Sequence, residues 1–390
     1  MVRSLPDFPW DSLAPAKERA SAFSDPSLPG AAGQGLVDLS VGTPVDPTPG
    51  VVRAALADAS DAHGYPQTWG TADLRDAVAA WFERRRGVPG LDPAGVLPTV
   101  GSKELVAWLP SIMGLGPGDV VAFPRVAYPT YDVGARLAGA SSVAVDALTA
   151  LGPLTKATTP QLLWLNTPGN PTGKVLGVEH LTKVVRWARE HGVVVASDEC
   201  YAELDWRPRP AGSLDPPTTP SILDPRVTGG SHEGLLCVYS LSKQSNLAGY
   251  RAAFVAGDPT LVARLLEVRK HAGMIVPWPV QRAMLAALGD DAHVAAQRSR
   301  YAARRARLMP AVEAFGLSVQ DSEAGLYLWG TAGEDCRETV ERLAGHGILV
   351  APGDFYGGAG RQHVRVALTA TDERIDAAAA RLGRSAGLTS

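Results

Sequence analysis

Apolar residues fall into two alternating patterns between about residues 75 and 260. Short, nearly continuous apolar runs stand at 120–123, 162–165, 193–196, 235–239 and 252–255. Strands buried on both faces read this way. Between them 179–191 has the helical period, with Leu181, Val184, Val185 and Ala188 on one face and Gly192 as the stop. The alternation predicts an α/β fold, a mostly parallel sheet sandwiched by helices. The pattern changes near Val276-Pro277-Trp278-Pro279. Beyond it, 279–315 predicts one long Arg/Ala-rich helix, and strand-like pieces follow at 326–329, 348–350 and 364–368. Residues 1–40 are rich in Pro, Ser and Gly, with one helix-like piece at 16–23. The expected division is an N-terminal arm over 1–40, packing with the small domain or a dimer partner, a large domain over 41–275 and a smaller α+β domain over 276–390.

Composition narrows the class. A chain of 390 residues has room for about two domains. A hydrophobic fraction of 45% and a charged fraction of 20% are ordinary for a globular protein. A net charge of −3 gives no electrostatic case for nucleic acid or an anionic membrane. Cys200, Cys237 and Cys336 form neither a metal-ligand spacing nor a disulfide framework, and fit reduced thiols. The eight histidines form no short His/Cys cluster, so no metal is expected. No apolar run approaches the ~18 residues that span a bilayer, and the first residues carry no signal-peptide pattern. The expectation is a soluble, cytoplasmic protein.

In open α/β sheets, ligands bind beyond the carboxyl ends of the strands. Asn166 to Gly173 follow one run, Ser197-Asp198-Glu199-Cys200-Tyr201 the next, and Ser240-Leu241-Ser242-Lys243 the third, with Arg251 close behind. Lysine is scarce, seven against thirty arginines, so an amine at a core strand's end is not there for solubility. An amine, a carboxylate, an amide, a phenol and phosphate-type ligands together suit pyridoxal 5′-phosphate. Lys243 would form the Schiff base. Asp198 would keep the pyridine nitrogen protonated. Asn170 and Tyr201 would donate to the ring phenolate, and Ser240, Ser242 and Arg251 would hold the phosphate. Singly these residues read as turn formers, caps and half-buried aromatics; their joint placement carries the reading. Two other motifs fail. Gly169 to Lys174 lacks the P-loop spacing, and Gly114-x-Gly116-x-Gly118 precedes a strand instead of following one.

The Asn-Pro-Thr-Gly turn, the Asp198-x-x-Tyr201 pair, the Ser-x-Ser-Lys segment and an arginine eight residues after the lysine stand in family order. Over nearly its whole length the chain resembles the fold-type I pyridoxal-phosphate aminotransferases of the aspartate aminotransferase superfamily. The resemblance implies that Gly101-Ser102-Lys103 forms the first phosphate loop and that Tyr128 stacks on the cofactor ring. It implies that Tyr65 reaches the phosphate of a neighbouring subunit, hence a homodimer with the active site at the subunit interface. Arg365 would grip the substrate α-carboxylate, with Asn170 and the backbone of Gly42 beside it. The 39–47 segment and the opening 5–10 resemble the actinobacterial succinyldiaminopimelate transaminases, although Thr43 stands where the family more often has an acidic residue. That narrower resemblance implies glutamate as amino donor and N-succinyl-2-amino-6-oxopimelate as acceptor. Another aminotransferase of the superfamily, for aspartate or an aromatic amino acid, and a carbon–sulfur β-lyase on the same fold remain open. A transcription regulator would need a helix-turn-helix domain for which 1–40 is too short.

Overall fold

The computed structural model describes residues 5, 8–152, 154–155, 157–208 and 219–385. Pro6 and Asp7 of the opening motif, and 386–390 of the expected small domain, lie outside the described residues.

A seven-stranded sheet forms the centre, in the order Val96–Val100, Ala252–Gly257, Leu235–Ser240, Val194–Asp198, Leu162–Asn166, Val120–Phe123, Ser141–Ala144. Only Ala252–Gly257 runs against the others. All six of its residues are buried, as are all six of Leu235–Ser240, so these strands show no polar alternation. The edge strand Ser141–Ala144 is half-exposed and polar in part, and periodicity gave no sign of it. The helix Val178–His191 buries Leu181, Val184, Val185 and Ala188 against the sheet. Leu181, Val184 and Val185 each contribute about 1.5–3 kcal/mol of burial, and the Ala188 methyl less. Gly192 ends this helix at φ 65°, a left-handed conformation that glycine takes without strain.

The single helix expected over 279–315 is two helices, Trp278–Leu288 and Asp291–Ala314. Gly289 closes the first, and the Asp290 side chain accepts from the Ala292 N–H to cap the second. The two pack in different places. Val280, Ala283, Met284 and Ala287 join the core of the large sheet. Tyr301, Leu308 and Val312 join a second core around an antiparallel sheet, Ala351–Pro352, Val364–Ala367, Tyr327–Thr331, Ser318–Gln320. Leu13, Ala16, Ala20, Val37 and Leu39 of the N-terminal segment belong to this second core. Val37–Asp38 pairs in parallel with Ile348–Leu349. The packed cores therefore divide after Leu288, whereas the composition change comes at 276.

Candidate active site

The carboxyl ends of the central strands converge as the topology requires. Asn166 and Asp198 are register partners at adjacent strand ends, and the Asn166 side-chain amide donates to the Asp198 carbonyl at 3.0 Å. The next strand, Leu235–Ser240, leads into the one-turn helix Leu241–Gln244, which carries Lys243. The Ser240 side chain caps that turn, accepting from the Ser242 N–H at 3.2 Å and donating to the Ser242 hydroxyl at 2.8 Å. Lys243 is thereby held at a fixed point of a cavity of about 460 Å³. Its amine donates to the Gly42 carbonyl. Burial lowers the Lys243 pKa, and Arg365 and Arg251 act in the same direction, against Tyr327 and Cys200.

Asp198 is buried and lines the same cavity. One carboxylate oxygen accepts from the Tyr131 hydroxyl at 2.9 Å, the other from the Cys200 N–H at 3.2 Å. Burial raises the Asp198 pKa in spite of these bonds. A carboxylate in that condition gains from a cation placed against it. Tyr131 lies on the helix Thr130–Ala138, fully buried, its ring 5.0 Å from that of Trp164. Sequence reasoning did not single it out; the signal was a second tyrosine three residues after Tyr128, across the turn that leads into the helix.

Arg365 is buried on the strand Val364–Ala367. It donates to the Asn170 side-chain oxygen at 3.0 Å and to the Ser40 carbonyl at 2.6 Å. Its Nε has no partner among the described residues. Tyr327, facing Arg365 at 4.0 Å from ring centroid to guanidinium carbon, shares a 3.1 Å hydroxyl contact with Tyr201. Burial would push the Tyr327 pKa up, but Arg365, Lys243 and the Tyr201 bond bring it down, while burial raises that of Tyr201. Tyr327 explains Gly42: a Cβ there would collide with its hydroxyl.

The far end of the cavity carries Ser102, Ser240, Ser242 and Arg251. Gly101, at φ 78°, lies under the Arg251 guanidinium, and a Cβ would occupy the space of its Nη2. Tyr128 lines the cavity, 6.2 Å from the Tyr131 ring. Lys103 lines it too, with its ammonium 5.8 Å from the Tyr128 ring centroid, so its side chain lies toward that ring. The structure thus gathers Gly42, Ser102, Lys103, Tyr128, Asn170, Asp198, Tyr201, Ser240, Ser242, Lys243, Arg251 and Arg365 around one cavity. Tyr65 is not among them; it stands fully exposed on a loop of the same protomer.

This chemistry fits pyridoxal phosphate. Hydroxyls and a guanidinium over a glycine cradle suit a phosphate, a buried carboxylate suits a protonated ring nitrogen, and an amine lines the same cavity. The architecture and the donor set define a pyridoxal-phosphate-dependent transferase of fold type I. Residues 34–382 match the family model for aminotransferase class I and II, and the chain belongs to that family. It is an aminotransferase and uses pyridoxal phosphate. A probable aminotransferase of Mycobacterium tuberculosis is 59% identical over 97% of this chain and 85% of its own length. The 4-dedimethylamino-4-oxo-anhydrotetracycline transaminase of Streptomyces rimosus is 57% identical over 98% of this chain and its full length, 100%. Among solved structures, a probable N-succinyldiaminopimelate aminotransferase from Thermus thermophilus superposes with a TM-score of 0.81 at 29% identity, covering 97% of this chain and 100% of its own.

Proposed function

We propose that this aminotransferase interconverts N-succinyl-LL-2,6-diaminopimelate plus 2-oxoglutarate with N-succinyl-2-amino-6-oxopimelate plus glutamate, in lysine and diaminopimelate biosynthesis. The observation that carries the catalytic part is the buried grouping of Lys243, Asp198 and Arg365 on one cavity. When bound, pyridoxal phosphate supplies an electron-accepting ring that renders an amino acid's α-proton acidic. Lys243 would hold its aldehyde carbon. Asp198, kept in place by Tyr131, would hold the proton on its ring nitrogen. Asn170 and Tyr201 would donate to its ring oxygen, and Tyr128 would cover a face. The Gly101 cradle, the Ser102 and Lys103 backbone, Ser240, Ser242 and Arg251 would take its phosphate.

The remaining steps belong to the protein. Arg365 receives the substrate α-carboxylate through a fork already oriented by Asn170 and Ser40. Gly42 allows backbone to approach the same group. Lys243 moves the proton to and from the substrate α-carbon, a task for a neutral amine. Burial lowers its pKa, in the direction of that form. Two substrates then use one site in turn, with ping-pong kinetics. We place the reaction in the cytoplasm, which three buried free thiols fit. Among the described residues no helix is long and apolar enough to cross a membrane.

The acceptor is argued from the opening and 39–47 segments and from the likeness to the Thermus aminotransferase. The 57% identity with the Streptomyces transaminase favours a second reading, a polycyclic oxo acceptor. Mixing the holoenzyme with single amino donors and following cofactor absorbance tests the first reading. The expected result is fast bleaching by N-succinyl-LL-diaminopimelate and by glutamate, absent in Lys243→Ala. A Lys243→Ala variant with full turnover would remove the catalytic assignment. Silence toward N-succinyl-LL-diaminopimelate, with a fast response to aspartate or phenylalanine, would remove the substrate assignment.

A further inference from the structure

A second cavity, of about 990 Å³, adjoins the catalytic one. The two share Phe8, Trp10, Lys103 and Tyr128, so these side chains are the partition between them. The second is about twice the volume of the first and within the range of small-molecule sites. Its walls join Trp10, Phe355 and Tyr356 of the second core to Phe123, Ala127 and Tyr128, which pack in a separate cluster against the large sheet. Trp10 of the N-terminal segment lies 5.0 Å from the Phe355 ring, and the Arg365 guanidinium carbon lies 5.9 Å from the Trp10 ring. The Ala127 N–H donates to the Tyr356 carbonyl at 2.9 Å, and a Cβ on Gly357 would meet the Arg125 carbonyl at 2.5 Å. The turn 353–357 is therefore clamped onto the segment that carries Arg125.

The charges in this cavity are uneven. Asp132 is engaged by Arg136 at 2.7 Å and by the Ser142 hydroxyl at 2.6 Å. Asp354 is engaged by Arg337 at 2.8 Å and 3.1 Å. The side chains of Arg125 and Lys103, both exposed, form no ion pair with a carboxylate among the described residues, although the Arg125 N–H donates to Asp146 at 3.1 Å. The Tyr356 hydroxyl, in the same wall, is buried without a hydrogen-bond partner among the described residues.

We infer that this second cavity receives the remote end of the substrate, and that it selects an apolar chain ending in one or two carboxylates. Resting on the reading of Lys243 and Arg365 above, the amino-acid head stays in the first cavity. The chain passes the Trp10 and Tyr128 partition, its methylenes lie against Phe8 and Phe355, and its terminal carboxylates meet Arg125 and Lys103. Two unpaired cations match the two distal carboxylates of N-succinyl-LL-diaminopimelate.

The test compares kcat/KM for three amino donors: this diacid, the same compound with both distal carboxylates as methyl esters, and L-norvaline, which has no tail. The expected wild-type preference for the diacid over the ester is about tenfold or more, the scale of one charge-assisted contact. Arg125→Ala, and separately Arg125→Gln, should remove most of that preference while norvaline keeps its rate. Calorimetric binding of the diacid to Lys243→Ala protein should weaken by about the same factor when Arg125→Gln is added. Equal rates for diacid and ester, with no response to either Arg125 variant, would overturn the site and leave transamination of N-succinyl-LL-diaminopimelate standing. A different long anionic donor preferred with the same Arg125 dependence would uphold the site and overturn the proposed substrate.

Discussion

The Cys200 thiol, the Tyr131 hydroxyl and the Cys200 N–H are donors that oppose the burial of Asp198. A hydrogen bond to a charged group contributes about 1.5–3 kcal/mol, so Tyr131→Phe should cost about tenfold in kcat/KM. The sign of the pH effect follows. Removing a donor to the ionised form raises the Asp198 pKa beyond what burial already does, and less carboxylate remains at low pH. The acid limb of kcat/KM should move to higher pH, and bound cofactor should release more readily on acidification. An unchanged acid limb together with unchanged cofactor retention would show that Tyr131 only fills space. Tyr131 escaped sequence reasoning because a tyrosine in a helix reads as an ordinary core aromatic. Lys243 and Asp198 were legible because a charged residue ending an apolar strand contradicts its surroundings. Tyr327 stood between these cases: it begins a strand, and only the Gly42 backbone and the Arg365 fork around it make it a site residue.

At the scale of elements, the site depends on how the strand Val194–Asp198 is stopped. The next residue, Glu199, is fully buried and pairs with buried Arg86 at 2.8 Å, the last residue of the helix Ala72–Arg86. Its other oxygen accepts from the Ile222 N–H at 2.7 Å, and Arg86 also donates to the Thr219 hydroxyl at 3.2 Å. Asp198 and Tyr201 sit on either side of this anchor. Arg86→Met leaves a buried carboxylate unpaired, which costs about 3–5 kcal/mol. Urea unfolding should show that loss, and adding Glu199→Gln should recover at least half, since Gln still accepts from Ile222 without a charge. Equal stability of Arg86→Met and wild type would mean that water reaches Glu199. Arg86 closes the run Arg84-Arg85-Arg86, and a basic run of that kind reads as a solvated helix end, which hides this pair. The split between Trp278–Leu288 and Asp291–Ala314 was hidden differently. A continuous Arg/Ala pattern outweighed Gly289-Asp290, although glycine followed by a capping aspartate is a stop and a start.

At the scale of the molecule, the catalytic cavity takes lining residues from the strand ends of the large sheet and from the second core, and the chain supplies residues to it from the arm to the last strands. Tyr65, expected at the phosphate of a neighbouring subunit, lies outside the cavity of its own protomer. It is fully exposed on the loop before the helix Ala72–Arg86, with Trp69 partly exposed nearby in sequence. A tyrosine held out in water buries its ring most simply against another copy of the chain, which is the homodimer proposed from the family resemblance. Sequence spacing cannot tell a residue that serves its own site from one that serves its neighbour's; burial in a single protomer separates the two. The experiment that decides is complementation. Tyr65→Ala and Lys243→Ala proteins, each impaired alone, are unfolded together, refolded and compared with either parent. If Tyr65 acts across the interface, each hybrid has one site with both defects and one site with neither, and activity returns to about half of wild type per hybrid dimer, as the symmetry of a two-fold assembly requires. If Tyr65 acts within its own protomer, every hybrid site carries one defect and no activity returns. A protein that sediments as a monomer at assay concentration with full turnover would rule out any need for the dimer in catalysis.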